Sequence, residues 1–377
     1  MARLGDICTI VSGTTPKSSC PEYWDGNINW VTPAELNDES DVIYESQRKI
    51  TKQAVVNTSL KSFPVGTVLL SSRAPIGKVA IAGVEMYCNQ GFKNLICSEA
   101  IYNRYLYHFL KNKTEYLNSL GRGATFKEIS KSIVEKIEIP LPPLEEQRRI
   151  AALLDKVRDL IAKRRAQLDK LDLLVKARFV EMFGDPAENT RWSTMKLSQL
   201  GELNRGVSKH RPRNDPRLLG GAYPLIQTGD VSNSGLYILN YSSTYSELGL
   251  EQSRLWKSGT LCITIAANIA QTSILTFDAC FPDSVVGFVP NDNTNSVFIH
   301  YWFSFFQKIL EEQAPQVAQK NINLKILSDL DVIVPPYTLQ EDFSAFVGQV
   351  EKSKLTIQQS LDKLEVLKKA LMQQYFG

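Results

Sequence analysis

The chain has 377 residues, 43% hydrophobic and 22% charged, proportions that are ordinary for a soluble globular protein of two to three domains. Its 43 Lys and Arg against 40 Asp and Glu leave a net charge of +3, which permits nucleic-acid binding through local patches without demanding it. No signal peptide is seen and no apolar run is long enough to span a bilayer, so we expect a cytoplasmic protein with no membrane partner.

In chain order, residues 1–141 read as a mixed domain. Short β-rich runs such as Gly66–Ser71 and Lys78–Ala82 alternate with turn-forming Gly, Pro, Asn and Ser, and a helix is expected near 100–118. Residues 142–186 differ in texture. From Leu144 to Phe183 there is no Pro or Gly, helix formers dominate, and the stretch begins after Pro142-Pro143 and stops at Phe183-Gly184. A second mixed domain, 187–334, repeats the first, with β-rich runs at Gly259–Thr264 and Thr272–Phe277 and a helix expected near 295–312. Residues 335–377 form a second helical stretch, Tyr337–Phe376, with Gly348 its only glycine.

The halves are copies. Shifted by 193, nine of the 17 positions in 168–184 match those in 361–377. The same shift carries Pro142-Pro143 onto Pro335-Pro336, Gln147 onto Gln340, Gly66-Thr67 onto Gly259-Thr260, Gly13 onto Gly206 and Leu4 onto Leu197. A tandem repeat is a covalent pseudo-dimer, suited to acting at two places at once. None of the six cysteines (Cys8, Cys20, Cys88, Cys97, Cys262, Cys280) maps onto another, and no CxxC pair occurs. Zinc is therefore not expected, and free thiols fit a reducing cytoplasm.

Each helical stretch, some 40 residues and so roughly 60 Å long, is too long to bury its apolar stripe on a small domain alone. Leu154, Val157, Ile161, Leu168, Leu171 and Val175 share three-four spacing, as do Val347, Val350, Ile357, Leu361, Leu364 and Leu371. We expect these to form the seam of an antiparallel coiled coil, which would place the globular domains at opposite ends. Charged seam positions do not coincide under the shift: Arg164 maps to Ile357 and Lys354 to Ile161. Charged residues facing apolar ones would favour pairing of unlike copies. The expected class is α+β, two tandem-repeated globular domains separated by two long paired helices.

This order of elements resembles the specificity (S) subunit of type I restriction–modification systems. The resemblance rests on the helix entry Ile139-Pro140-Leu141-Pro142-Pro143-Leu144-Glu145-Glu146-Gln147 and the exit Phe183-Gly184-Asp185. Weaker support comes from Trp30–Leu36, Ser72–Lys78 and Gly121–Thr125, with Leu225–Val231, Ala266–Gln271 and Ala314–Lys320 in the second copy. It covers essentially the whole chain. The second copy departs from it at Asn268-Ile269-Ala270, where the first has Pro75-Ile76-Gly77, leaving that loop's shape in doubt. The resemblance implies two target-recognition domains, each reading half of a bipartite site in double-stranded DNA. It implies that the helix pair sets the gap and docks two methyltransferase (M) subunits, and that endonuclease/translocase (R) subunits complete the enzyme. S-adenosylmethionine, ATP and Mg²⁺ would then belong to those partners, with no cofactor in this chain.

Catalytic motifs are not found. Val334-Pro335-Pro336-Tyr337 lacks the asparagine of an adenine methyltransferase motif, and Ala74–Lys78 lacks the spacing of a phosphate loop. No catalytic or metal-ligating residue is expected. DNA affinity should come from Lys and Arg on phosphates, and specificity from polar side chains in a groove. The densest basic run is Arg205, Lys209, His210, Arg211, Arg213 and Arg217, whose first-domain counterpart, Ser12–Ser19, is polar with Lys17 its only cation. Candidate contacts are Lys17, Arg73, Lys78, Arg122 and Lys127 in the first domain, with Arg48, Lys49 and Lys93 behind them. In the second they are Lys209, Arg211, Arg213, Arg254, Gln271 and Lys320, with Lys257, Gln319 and Asn321 behind. Surface loops often carry such charges without binding anything. The alternatives are a coiled-coil protein-interaction scaffold without DNA specificity, or an enzyme in its own right.

Overall fold

The computed structural model describes residues 1–37, 41–73, 75–123, 127–210, 212, 215–266, 269–306, 309 and 322–377. The chain forms two compact units, residues 1–165 with 359–377, and residues 166–358.

In the first unit, strands β1 (Cys8–Ser12), β2 (Val42–Ile43), β3 (Val68–Leu70), β4 (Val79–Ala82) and β5 (Lys93–Cys97) form a sheet of order β1-β5-β3-β4-β2. All neighbours are antiparallel except β2 and β4. The alternate faces of this sheet feed two apolar clusters. Val68, Leu70, Val79, Ile81 and Leu95 pack under helix α1 (Asn103–Asn112), while Leu69, Ala80 and Ala82 face Phe63, Met86 and Phe92. The long helix α2 (Leu144–Phe183) follows.

The second unit repeats this plan. Strands β6 (Gly201–Arg205), β7 (Tyr237–Ile238), β8 (Leu261–Thr264), β9 (Thr272–Leu275) and β10 (Val285–Pro290) run in the equivalent order β6-β10-β8-β9-β7. Helix α3 (Ser296–Phe303) covers one face, and the long helix α4 (Tyr337–Phe376) ends the repeat. The single helix expected near 100–118 is broken in two, Asn103–Asn112 and Thr114–Leu120. Thr114 is β-branched and its hydroxyl reaches the carbonyls of Lys111 (3.1 Å) and Gly77 (3.3 Å), holding a turn at the break.

A smaller sheet sits beside each large one. In the first unit Trp24–Val31 lies between Lys49–Ile50, antiparallel, and Tyr87–Cys88, parallel. In the second, Leu219–Leu225 lies between Ser243–Tyr245 and Ala279–Cys280 in the same senses. Both central strands bulge at matching points: Trp24 and Ile28 both oppose Ile50, and Leu219 and Tyr223 both oppose Tyr245. The bulge brings backbones together so closely that a Cβ on Gly26 would lie 2.3 Å from the Ile50 carbonyl oxygen.

The long helices have the physical marks of their ends. Glu145 and Glu146 occupy the first turn of α2, where the helix dipole favours anions, and Gly184, at φ +82°, closes it. Buried Gln147 accepts from the Tyr102 amide (2.8 Å) and donates to the carbonyls of Ala100 (3.0 Å) and Pro142 (2.8 Å). Gln340 repeats the clamp on α4 through Thr294 (2.9 Å), Asn293 (3.0 Å) and Pro335 (3.0 Å).

The helices pair antiparallel within each unit. In the first, Arg165 meets Glu365 (2.6 Å), and Ile150, Ala151 and Leu154 share a core with Met372 and Phe376. In the second, Asp172 meets Lys354 (2.8 Å), while Phe183 lies 5.6 Å from Phe343 between ring centroids. Of the expected seam, Leu154, Val157, Ile161, Val175, Val347, Val350 and Leu361 are buried, and Leu168, Leu171, Ile357, Leu364 and Leu371 are half-buried. One expectation is corrected. Lys354 does not simply face an apolar residue, because Asp172 and Glu351, each 2.8 Å away, neutralise it. A half-buried ammonium without a carboxylate partner would be costly.

Candidate nucleic-acid interface

In the first unit β1 runs into a polar loop. Gly13 makes the exit possible: a Cβ there would lie 2.2 Å from the carbonyl oxygens of Cys88 and Asn89. The Thr14 amide then donates to the Cys88 carbonyl (3.0 Å). Two indoles tie the loop to the small sheet. Trp30 Nε1 donates to the Thr14 carbonyl (3.1 Å), and Trp24 Nε1 to that of Lys17 (3.3 Å). The Lys17 side chain is exposed. The indoles meet edge to face with centroids 5.0 Å apart, and the exposed Arg48 lies over Trp24 with Cζ 3.9 Å from the ring centre. This platform was not legible in the residue spacing, since Trp24, Trp30 and Arg48 converge only once the sheet forms.

The equivalent loop of the second unit follows Gly206, pressed against the Phe281 and Pro282 carbonyls. Lys209 is exposed, and Arg211 and Arg213 lie outside the described residues. The rest of the basic run is partly neutralised. Asp215 holds His210 (3.1 Å) and Arg217 (2.7 Å), and the Arg217 hydrogen bonds pull its carboxyl well below the usual carboxylate range. Arg217 and His210 are therefore weaker phosphate candidates than their type suggested.

A second shared feature is the turn between the central strands. In the first unit the Ser71 hydroxyl accepts from the Lys78 amide (2.8 Å), and the Gly77 amide bonds the Ser71 carbonyl (3.0 Å). In the second the Thr264 hydroxyl accepts from the Gln271 amide (3.1 Å), and Ala270 bonds the Thr264 carbonyl (2.8 Å). Gly77 and Ala270 both have positive φ, +92° and +59°. Where the second copy departs from the family pattern, Ala270 thus keeps the left-handed backbone of Gly77 at the cost of strain, and Asn268 lies outside the described residues. Lys78 reaches the Pro33 carbonyl (3.3 Å), and Gln271 is exposed.

Glu128 organises the remaining first-domain cations. Its backbone bridges both Arg73 and Arg122, and its carboxylate takes Lys93 at 3.0 Å. Lys93 is buried, so it serves the fold and is removed from the DNA candidates. Arg122 and Lys127 are exposed. Lys49 pairs with Glu45 and Lys257 with Asp278. Arg254 stacks on Trp256 (4.0 Å) and bonds Glu202 (2.9 Å). Gln319, Lys320 and Asn321 lie outside the described residues.

The long helices expose apolar side chains at matching places. Leu173 and Leu174 on α2 are 65% and 48% exposed, and their repeat counterparts Val366 and Leu367 on α4 are 67% and 44% exposed. Among the described residues no group of His, Cys, Asp and Glu could hold a metal ion, and no helix is long and apolar enough to cross a membrane.

Comparison with known proteins gives concordant results. The profile of the type I restriction modification DNA specificity domain matches residues 1–171 and again 189–368. The type I restriction enzyme MjaIX specificity subunit of Methanocaldococcus jannaschii is 27% identical over 98% of this chain and 90% of its own length. A solved chain from a study of complex assembly and conformational transition in the type I R-M system superposes with a TM-score of 0.62. It is 20% identical and covers 100% of this chain and 96% of its own. The S subunit of a type I restriction–modification system from M. genitalium gives a TM-score of 0.58 at 16% identity, covering 100% and 95%. At such identities the superpositions speak for the fold.

Proposed function

Since the chain belongs to the type I restriction–modification DNA specificity family, matched over residues 1–171 and 189–368, we propose that it reads a bipartite DNA site, one half-site per domain. The supporting observation is a repeated scaffold with different side chains. Both units share one strand order and one bulge, yet Trp24, Trp30 and Arg48 of the first stand where the second has Leu219, Leu225 and Ser243. Two like scaffolds with unlike reading edges suit an asymmetric target.

Within this reading, exposed Lys17, Arg122, Lys127 and Lys209 neutralise phosphates and set the register, joined by Arg211, Arg213 and Lys320. Arg73, Lys78 and Gln271 sit on or beside the turns that would approach the bases, and Arg254, on Trp256, is a further candidate base contact. The chain is a recognition subunit, not the catalyst. Leu173-Leu174 and Val366-Leu367 offer one docking patch per repeat, which suits two copies of the same methyltransferase subunit. S-adenosylmethionine would be used by that partner to methylate a flipped adenine, and ATP and Mg²⁺ by R subunits.

The test is co-expression with the neighbouring methyltransferase and mapping of N6-methyladenine across the host DNA. A single bipartite motif with a fixed gap is expected. Assembly with no methylated motif would overturn the reading. Replacing Leu173 and Leu174 by Asp, or Val366 and Leu367 by Asp, should each cost one bound methyltransferase subunit, measured by mass in solution.

A further inference from the structure

The Trp24–Trp30 platform carries an arginine whose position in the fold gives it a definite task. Arg48 immediately precedes the edge strand Lys49–Ile50 of the small sheet and faces Trp30, its carbonyl accepting from the Trp30 amide at 3.3 Å. The Ser46 hydroxyl locks this edge, accepting from the Trp30 amide (2.8 Å) and donating to the Arg48 carbonyl (2.6 Å). The guanidinium is therefore fixed at both ends, by backbone and by the Trp24 face 3.9 Å away. A guanidinium stacked on an indole keeps its in-plane N–H donors available to a second partner. Among the described residues no carboxylate pairs with Arg48, whereas Arg254, which stacks on Trp256 in the second unit, is held by Glu202. The same indoles hold the loop bearing Lys17, so Arg48 shares one rigid surface with a phosphate candidate.

We infer that Arg48 reads a guanine in the half-site of the first domain, donating two N–H bonds to its N7 and O6. A preorganised planar fork matches two adjacent acceptors, and in the major groove guanine presents such a pair. The second domain lacks this contact, because Ser243 occupies the matching place opposite Leu225. The inference rests on the DNA-reading function above and names one letter of its code.

A phosphate could also accept the fork, and the experiment separates the two. The complex with its methyltransferase is prepared with wild-type chain, R48A, R48K and, as a control at a nearby exposed lysine, K52A. Methylated motifs are mapped, and binding is measured on duplexes altered one base pair at a time. Wild type should prefer guanine at one first-half position by about 10- to 100-fold. R48A should level that preference, leaving the second half-site and the gap unchanged. R48K should do the same, because a point charge lacks the fork, and K52A should change nothing. If R48A fails to assemble, R48K alone decides by whether that letter is lost. A motif unchanged in every letter overturns the inference, as does a first half-site without a guanine–cytosine pair. Equal weakening on all sequences with a shallower salt dependence also overturns it, and marks Arg48 as a phosphate contact. If wild type itself methylates no bipartite motif, the functional reading fails and the inference falls with it.

Discussion

Ala270 carries a strain that its repeat counterpart avoids. Gly77 adopts φ +92° at no steric cost, but Ala270 at φ +59° brings its Cβ close to the backbone, a conformation L-residues disfavour by about 1–2 kcal/mol. The turn holds because the Thr264 hydroxyl and carbonyl both bind across it. Ala270→Gly should relieve the strain, offset in part by greater freedom of the unfolded chain, for a net gain of about 1 kcal/mol. Gly77→Ala should cost at least as much, because the new Cβ would also lie 2.9 Å from Thr114 Cγ2. Urea denaturation of the two variants checks this, and opposite signs are required. A destabilised A270G would show that the turn is not strained.

At the scale of elements, the two copies fasten α1 and α3 to the long helices differently. In the first unit Asp155 on α2 takes Arg104 (2.8 Å) and His108 (2.8 Å) from α1, and Arg104 also reaches Asp41 (2.5 Å). In the second, Val297 and Gly348 stand where Arg104 and Asp155 would be. Burial disfavours the charged form of Asp155, but hydrogen bonds from His108 and Arg104 outweigh it and hold its pKa at about 2. A depressed carboxylate contributes stability that is present above its unfolded value near 3.8 and lost as pH falls toward about 2. Burial acts oppositely on His108 and lowers its pKa, so the folded state prefers it neutral and acid below about 6.5 works against the fold. Asp155→Asn should therefore cost about 2 kcal/mol at pH 7. The gap from wild type, followed by urea midpoint, should close between pH 5 and 2. A gap independent of pH would mean that packing, not charge, is what Asp155 provides. Much at this scale was legible in the sequence. Pro-Pro and Phe-Gly bracketed the helices, and the Gln147 and Gln340 match marked their clamps. The bulged small sheet was not, for a physical reason. Trp24 matches Leu219, a shift of 195, while the flanking strands and helices match at 193. The match of Trp30–Leu36 with Leu225–Val231 carries that offset, but not the strand pairing that brings Arg48 over Trp24.

For the whole molecule, the repeat is not two self-contained beads. The motif read as a helix stop, Phe-Gly, also supplies a core residue to the unit built mainly from the other copy. Phe376, from the end of α4, lies buried in the first unit against Tyr105 (5.0 Å) and Phe109 (5.7 Å). Phe183, from the end of α2, lies buried in the second against Phe298 (5.0 Å), the counterpart of Tyr105. Spacing could show that Phe183 and Phe376 correspond, but not which core each enters, because that depends on the antiparallel pairing of the helices. Truncating such a ring removes its transfer free energy and leaves a cavity, together about 3–5 kcal/mol. Phe376→Ala should therefore loosen the first unit, more than 200 positions earlier in sequence. Hydrogen–deuterium exchange should quicken in α1 and leave α3 protected, whereas Phe183→Ala should quicken α3 and spare α1. If F376A instead frays only the last turn of α4, its ring is an ornament of the helix end, and each copy's core stands without the other's help.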